Sequence, residues 1–137
     1  MRRILLLPVA SAALLLAGCA QNTRSDNLTS TLRAYGGAIR WDGLESALQF
    51  VDPKVLKEHP PSNIDLARYQ QVRVTDYDEG SGPAAVNQDE VQQTVQISFV
   101  NIHTQVERSV VQRQVWRYDE KTKHWWLESG LPDIRQD

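Results

Sequence analysis

The chain has 137 residues, of which 41% are hydrophobic and 23% are charged, and its formal net charge is −2 at pH 7. This composition is typical of one globular domain and excludes a collagen-like or wholly disordered chain, while the charge excludes a strongly basic nucleic-acid-binding protein. The single cysteine excludes an intramolecular disulfide and a metal site built from several cysteines.

Residues 1–18 have the parts of a secretory signal peptide. Arg2 and Arg3 form a basic end, an uncharged and mainly apolar run covers residues 4–17, and small residues close it. A transmembrane helix would need about 20 apolar residues, whereas the uncharged stretch carries Pro8 and ends at Ala20, where polar residues from Gln21 follow at once. We therefore expect residues 1–18 to be a signal peptide that is removed.

The segment Leu16-Ala17-Gly18-Cys19 closely resembles the lipobox of bacterial lipoproteins. The resemblance implies cleavage before Cys19, a diacylglyceryl group on its sulfur and an acyl chain such as palmitate on its amine. The membrane is then a partner of the chain, and Ala20, in place of aspartate, implies the periplasmic face of the outer membrane. The alternative for this cysteine is a buried thiol in an apolar helix, a common position for free cysteine.

The residues after the cysteine are polar and show no periodicity, which predicts a tether. We expect residues 19–27 to be the lipidated cysteine and its tether, and residues 28–137 to form a single domain. Asp26 or Asn27 is expected to cap the first helix of that domain.

The first helix is predicted from apolar residues that recur at spacings of 4, 3 and 4 and share one face: Leu28, Leu32, Tyr35 and Ile39. Gly36 and Gly37 lower helix propensity, which we interpret as close approach of another backbone, with a helix break as the alternative. A second helix should begin with Asp42 as its cap and Glu45 completing a capping pair. A short third helix is predicted from the Asp52 cap and Pro53, before the stop at residues 59–61.

From Tyr69 the apolar period changes from 3.6 to 2, and Val72 and Val74 alternate with polar residues, which predicts antiparallel strands. After a loop at residues 78–89, a long strand runs from Glu90, and a parity change after Phe99 predicts a β-bulge. A hairpin tip at residues 103–106, a returning strand to residue 118 and a last strand near residue 125 complete the sheet. We expect Ile97 and Val115 to be buried on the side that faces the helices. Helices followed by about four strands in a curved antiparallel sheet indicate an α+β fold.

The region 28–129 resembles the nuclear transport factor 2-like superfamily of cystatin-like α+β cones. The segments that carry the resemblance are Tyr35-Gly36-Gly37-Ala38-Ile39-Arg40 before Trp41-Asp42-Gly43, Trp116-Arg117-Tyr118, and Trp125-Trp126-Leu127. It implies a cone-shaped domain whose open end can hold a ligand, and in enzymes of the superfamily an Asp, His or Tyr inside it. A competing α+β interpretation is a small periplasmic module of a secretion machine.

The sequence offers no catalytic constellation. His59, His103 and His124 have no metal-ligand spacing and are expected in loops or at a sheet edge, and Asp76 and Asp78 are expected to be solvated. We therefore predict no catalytic residues, no cofactor and no metal site.

Aromatic and apolar side chains are the remaining candidates for a site. Those expected to line a cavity in the cone are Tyr35, Tyr69, Phe99 and Val115. Trp125 and Trp126 are consecutive, so a strand would point them to opposite faces. One ring should be buried and the other partly exposed beside the tail at residues 131–132. The exposed ring is the candidate contact to a partner protein, and the alternative is that it only covers apolar surface of the tail.

The sequence thus predicts a lipid-anchored, periplasm-facing envelope lipoprotein with a binding or structural role and no catalysis of its own, such as an accessory subunit of an envelope complex. One alternative is a binder of a small apolar ligand, or a cyclase- or isomerase-like enzyme, that uses the cone cavity. A further alternative is a small lipoprotein of a secretion channel. No nucleic-acid partner is expected.

Overall fold

The computed structural model describes the backbone of residues 9–135 and the side chains of residues 18–135. The first helix, α1, spans Val9–Gly37 and passes without interruption into a π-helical segment, Ala38–Asp42. The predicted caps at Asp26 and Asn27 are therefore wrong, and the segment expected to be an irregular tether is helical. Residues 20–27 contain no proline or glycine, and the side chain of Arg24 bonds to the sheet, so packing extends the helix beyond the apolar stripe.

The predicted buried face of α1 is confirmed. Leu32, Tyr35 and Ile39 lie in the core, and Leu28 is half-buried against it. The helix does not break at Gly36, where a Cβ atom would lie 3.1 Å from Cε1 of Tyr77. The close approach at Gly36 therefore involves a tyrosine ring and not a backbone.

Three short helices follow. A 3₁₀-helix spans Leu44–Phe50, α2 spans Pro53–Glu58 and α3 spans Asn63–Gln70. The predicted cap at Asp42 is wrong, because Asp42 ends the π-helical segment and Gly43, at φ 90°, stands between it and the 3₁₀-helix. The predicted cap at Asp52 is confirmed by the bond that its carboxylate accepts from the amide of Lys54 at 2.8 Å. The helix α3 was not predicted.

The sheet contains β1 (Val72–Asp78), β2 (Ala84–Ala85), β3 (Glu90–Asn101), β4 (Glu107–Asp119) and β5 (His124–Leu127). All neighbours are antiparallel in the order β1-β3-β4-β5, and β2 pairs with β3 on the side of β1. The sheet curls into a half-barrel, so the α+β prediction is confirmed. The bulge predicted after Phe99 is wrong: β3 and β4 stay in register from Glu90 to Val100, and the irregularity lies in β1 between Val74 and Asp76.

The concave face of the sheet packs against α1 and the 3₁₀-helix. Ile97 is fully buried there, as predicted, together with Val91, Val95 and Phe99 of β3. The predicted burial of Val115 is wrong, because this residue is only half-buried and lies on the convex face with Val111, which is 71% exposed.

Glutamines explain that error. The buried positions of β4 include Gln112 and Gln114, which alternate with the valines, and Gln114 pairs in register with the buried Gln93. Side chains of a strand alternate between faces, so the glutamines at inward positions turn Val111 and Val115 outward.

Candidate functional site

Cys19, the predicted lipidation residue, lies on α1 and is exposed. Its carbonyl accepts a hydrogen bond from the hydroxyl of Thr23 at 3.0 Å. Among the residues that the structure describes, no helix is both long and apolar enough to span a bilayer. The signal-peptide cleavage and the lipid itself remain predictions, and residues 1–8 lie outside the described part of the chain.

Arg24 fixes this end of α1 to the sheet. Its side chain, 17% exposed, pairs with Asp89 at 2.6 Å and with Glu120, and its guanidinium carbon lies 4.6 Å from the centre of the Tyr118 ring. Its carbonyl accepts a bond from the indole nitrogen of Trp125 at 3.0 Å. The folded contacts therefore begin five residues after Cys19, earlier than the predicted boundary at residue 28.

The interior of the half-barrel is filled at the position predicted for its cavity. The Tyr35 ring is fully buried and makes edge contacts with Phe50, Tyr77 and Trp116, with ring centres 5.2–6.3 Å apart. Tyr35 is therefore part of the core and not the wall of an open cavity.

Hydrogen bonds connect most of the polar side chains of this interior, Gln93 excepted. The hydroxyl of Tyr35 donates to Gln112 at 3.3 Å, and the amide of Gln114 donates to the hydroxyl of Tyr77 at 3.0 Å. The indole nitrogen of Trp116 donates to Gln114 at 3.0 Å. Burial raises the pKa of Tyr35 far above its ordinary value and that of Tyr77 to about 12. Both phenols are neutral at neutral pH, and their bonds position the core.

The other predicted cavity residues lie apart from one another. Phe99 borders an open groove of about 520 Å³ between α3, the end of β3 and the C-terminal tail, with Arg68 and Arg108 at its rim. Tyr69 is half-buried and borders a separate groove of about 180 Å³. Val115 borders neither groove, so the structure does not bring the four predicted cavity residues together.

The tryptophan pair behaves as the strand alternation predicts. Trp125 is buried, whereas Trp126 is half-buried and lines a groove with Pro53 of α2 and Lys121 of the β4–β5 turn. The groove that Trp126 lines is formed by α2 and the turn, and the tail at residues 131–132 is not among its lining residues. A partner contact at Trp126 remains a prediction.

The titratable residues that the sequence offered are dispersed. His59, His103 and His124 are exposed and lie at the end of α2, in the β3–β4 turn and at the start of β5. Within residues 18–135, no group of three or more His, Cys, Asp or Glu side chains is placed to hold a metal ion.

One feature that the sequence reasoning missed is the position of Trp41. It is 80% exposed on the π-helical segment and lines an open groove of about 690 Å³. The opposite wall of that groove carries Asp76, Asp78 and Glu79. The pair Asp76 and Asp78 was noticed in the sequence, but nothing there linked it to Trp41.

Comparison of the chain with protein-family models, with curated proteins and with solved structures found no match.

Proposed function

We propose that the protein is a lipid-anchored envelope lipoprotein whose domain is held at a membrane through Cys19 and has a binding or structural role. One observation carries the proposal: the only cysteine stands at the end of a lipobox-like segment, after Arg2, Arg3 and an apolar run, and is exposed on α1. Two or three acyl chains supply a stable anchor, because each buried CH₂ contributes about 0.8 kcal/mol and one chain binds only marginally.

The proposal places the domain close to the membrane. A helix rises about 1.5 Å per residue, so Arg24 lies roughly 7.5 Å along α1 from Cys19. Arg24 is bonded to Asp89 and to Glu120 of the β4–β5 turn. With an anchor on Cys19, this turn faces the membrane, and the outer membrane is the proposed location because Ala20 follows the cysteine.

A non-catalytic role is part of the proposal. It is supported by the interior, where the phenols of Tyr35 and Tyr77 are bonded to Gln112 and Gln114 and stay protonated. We propose the nuclear transport factor 2-like cone as the finer description of the fold, supported by helices that precede a curled antiparallel sheet. The contact to an envelope partner is proposed at Trp126, and a secretion-channel lipoprotein remains an alternative with the same anchor.

Mass spectrometry of the membrane fraction tests the anchor. The expected result is a chain that begins at Cys19 and carries a diacylglyceryl group, whereas Cys19→Ser should remain unprocessed and unlipidated. A matched control adds Ser25→Cys to Cys19→Ser, because residue 25 is exposed on the same helix and restores a thiol outside the box. Recovery of the wild-type chain without lipid, beginning at another residue, would contradict the proposal.

A second candidate function is favoured by the groove beside Phe99. The groove combines the apolar side chains of Phe99, Val72 and Ile134 with the guanidiniums of Arg68 and Arg108 at its rim. Arg68 is also paired with Asp65 at 3.1 Å, and Arg108 donates to the carbonyl of Ile134 at 3.1 Å. A guanidinium has five N–H donors, so the remaining donors suit binding of an anionic head on an apolar ligand. Titration with a fatty acid tests this function, and Arg108→Gln should weaken the binding.

A further inference from the structure

The exposure of Trp41 is unusual for a side chain of this size. Trp41 is 80% exposed, whereas Trp116 is fully buried and Trp125 is 5% exposed. Large aromatic rings gain most from burial, and tryptophan is enriched at interfaces because its ring has both an apolar body and a polar N–H group. The π-helical segment places the ring, because Ala38 and Ile39 are buried and the wider turn carries residues 40–42 outward. Single π-turns within helices are frequent at functional sites.

The groove beside Trp41 has walls of opposite charge. Arg33 and Arg40 stand on the helix side, and Asp76, Asp78 and Glu79 stand on the strand side. Within the described part of the chain, no ion pair of 4.0 Å or less joins the two walls. The groove therefore presents donors and acceptors that do not neutralise one another.

Two of these groups are held in place by the backbone. The guanidinium of Arg40 donates to the carbonyl of Tyr77 at 2.8 Å, and the carboxylate of Asp78 accepts from the amide of Gly80 at 2.8 Å. Groups that are fixed before a ligand arrives lose less conformational entropy when they bind it.

The floor of the groove contains a glycine that packing does not require. Gly36 and Gly37 both border the groove, but a Cβ at Gly36 would meet Tyr77, whereas a Cβ at Gly37 would meet nothing within 4 Å. The backbone of Gly37 is ordinary right-handed helix, at φ −64° and ψ −46°. At such a position glycine makes the helix less stable than alanine would. Because Gly37 has no side chain, the groove stays open at this position.

We propose that this groove binds a saccharide. The exposed indole offers a flat apolar surface to the C–H face of a sugar ring, while the two walls match hydroxyl groups, each of which donates and accepts a hydrogen bond. The groove carries three carboxylates and two guanidiniums, so a wholly apolar ligand would desolvate charged groups without replacing their hydrogen bonds to water, whereas the hydroxyl groups of a sugar can bond to groups of both charges. The open groove also suits a chain of sugars. This inference goes beyond the proposed function and does not depend on the lipid anchor.

Titration calorimetry with β-1,4-linked hexamers of glucose and of N-acetylglucosamine tests the inference. The full-length chain is used in a detergent whose headgroup is not a sugar. We expect binding of at least one hexamer, and Trp41→Ala should weaken it about tenfold or more, the loss of one well-placed aromatic contact. Trp126→Ala is the matched control, since Trp126 lies in a different groove, and should leave the affinity unchanged.

Substitution of Gly37 separates loss of binding from loss of folding. Gly37→Leu should project a side chain into the groove and weaken binding about tenfold or more, while its denaturation midpoint stays equal or rises because leucine favours the helix. Absence of binding to both hexamers would overturn the inference. Binding that survives both Trp41→Ala and Gly37→Leu would overturn it as well, because the sugar would then occupy another surface.

Discussion

Replacing Arg24 by alanine should lower the free energy of unfolding by about 1–3 kcal/mol. The partners Asp89 and Glu120 are 59% and 69% exposed, so each ion pair is expected to contribute only about 0–1 kcal/mol. The guanidinium over the Tyr118 ring adds about 0.5–1 kcal/mol, and the aliphatic stem of Arg24 packs on the same surface. The bond from Trp125 is unaffected, because it ends on the carbonyl of residue 24.

Urea denaturation followed by tryptophan fluorescence measures this loss, since Trp116 and Trp125 are buried. Arg24→Lys is the matched control: it keeps the charge but lacks the planar fork that reaches two carboxylates, so its loss should be intermediate. In 1 M salt, where the Debye length is about 3 Å, the difference in the free energy of unfolding between wild type and Arg24→Ala should become smaller but should not vanish. Hydrogen exchange should quicken at the amides of residues 24–28.

If Arg24→Ala lowers the free energy of unfolding by less than about 0.5 kcal/mol, the size expected for an ordinary surface substitution, this reasoning is refuted. Unchanged hydrogen exchange at residues 24–28 in Arg24→Ala would do the same. Either result would mean that the end of α1 near Cys19 is not fixed by Arg24. The orientation that we propose for the domain at the membrane would then lose its structural basis, while the lipid anchor itself would be untouched.

Two further predictions concern the buried polar groups. Neither the nitrogen nor the oxygen of the Gln93 side-chain amide has a hydrogen-bond partner among the described residues. Because a buried polar group without a partner costs about 1–3 kcal/mol, Gln93→Leu should raise the free energy of unfolding measured in urea. A lower free energy of unfolding would contradict this prediction. Burial raises the pKa of Tyr77 to about 12. Between pH 10 and pH 12 the phenol therefore keeps its proton in the folded state and loses it in the unfolded state. The free energy of unfolding should fall by about 2–3 kcal/mol across this range. Tyr77→Phe should show a shallower fall between pH 10 and pH 12, and equal slopes for the two chains would argue against it.

The spacing of apolar residues was sufficient to predict the buried face of an element where the core is apolar. The spacing of Leu32, Tyr35 and Ile39 gave the buried face of α1, and alternation through Ile97 and Phe99 gave the buried face of β3. A capping residue also predicted the start of a helix correctly at Asp52, which is followed by helical residues. Ser62 and Asp65 form a capping box that is the same kind of signal for α3, and the residues that follow it, Leu66-Ala67-Arg68-Tyr69, are compatible with a helix.

The errors arose where tertiary contacts override a local pattern. In β4 the inward positions hold Gln112 and Gln114, whose polar groups are bonded to Tyr35, Tyr77 and Trp116. A polar–apolar pattern cannot distinguish such a network from a solvated face, and this is why Val115 was assigned to the wrong side.

Contacts that are distant in sequence explain the remaining differences at the candidate site. Arg24 is 65 residues from Asp89 and 96 from Glu120, so its role in extending α1 has no signal within the helix itself. The exposure of Trp41 depends on a π-turn and on a groove whose other wall lies on β1. Both features combine residues that only the folded chain brings together.

α1 connects the two parts of the molecule for which functions are proposed. Cys19 lies in the first half of the helix, and Gly37, which borders the Trp41 groove, is its last residue. At about 1.5 Å per residue, the helix separates them by roughly 27 Å. If Cys19 carries the lipid and Arg24 fixes the helix to the sheet, the helix limits the distance between the anchored residue and the groove to about this length. A saccharide bound there would then be held within that distance of the anchor, and the anchor and the groove would each retain a separate test.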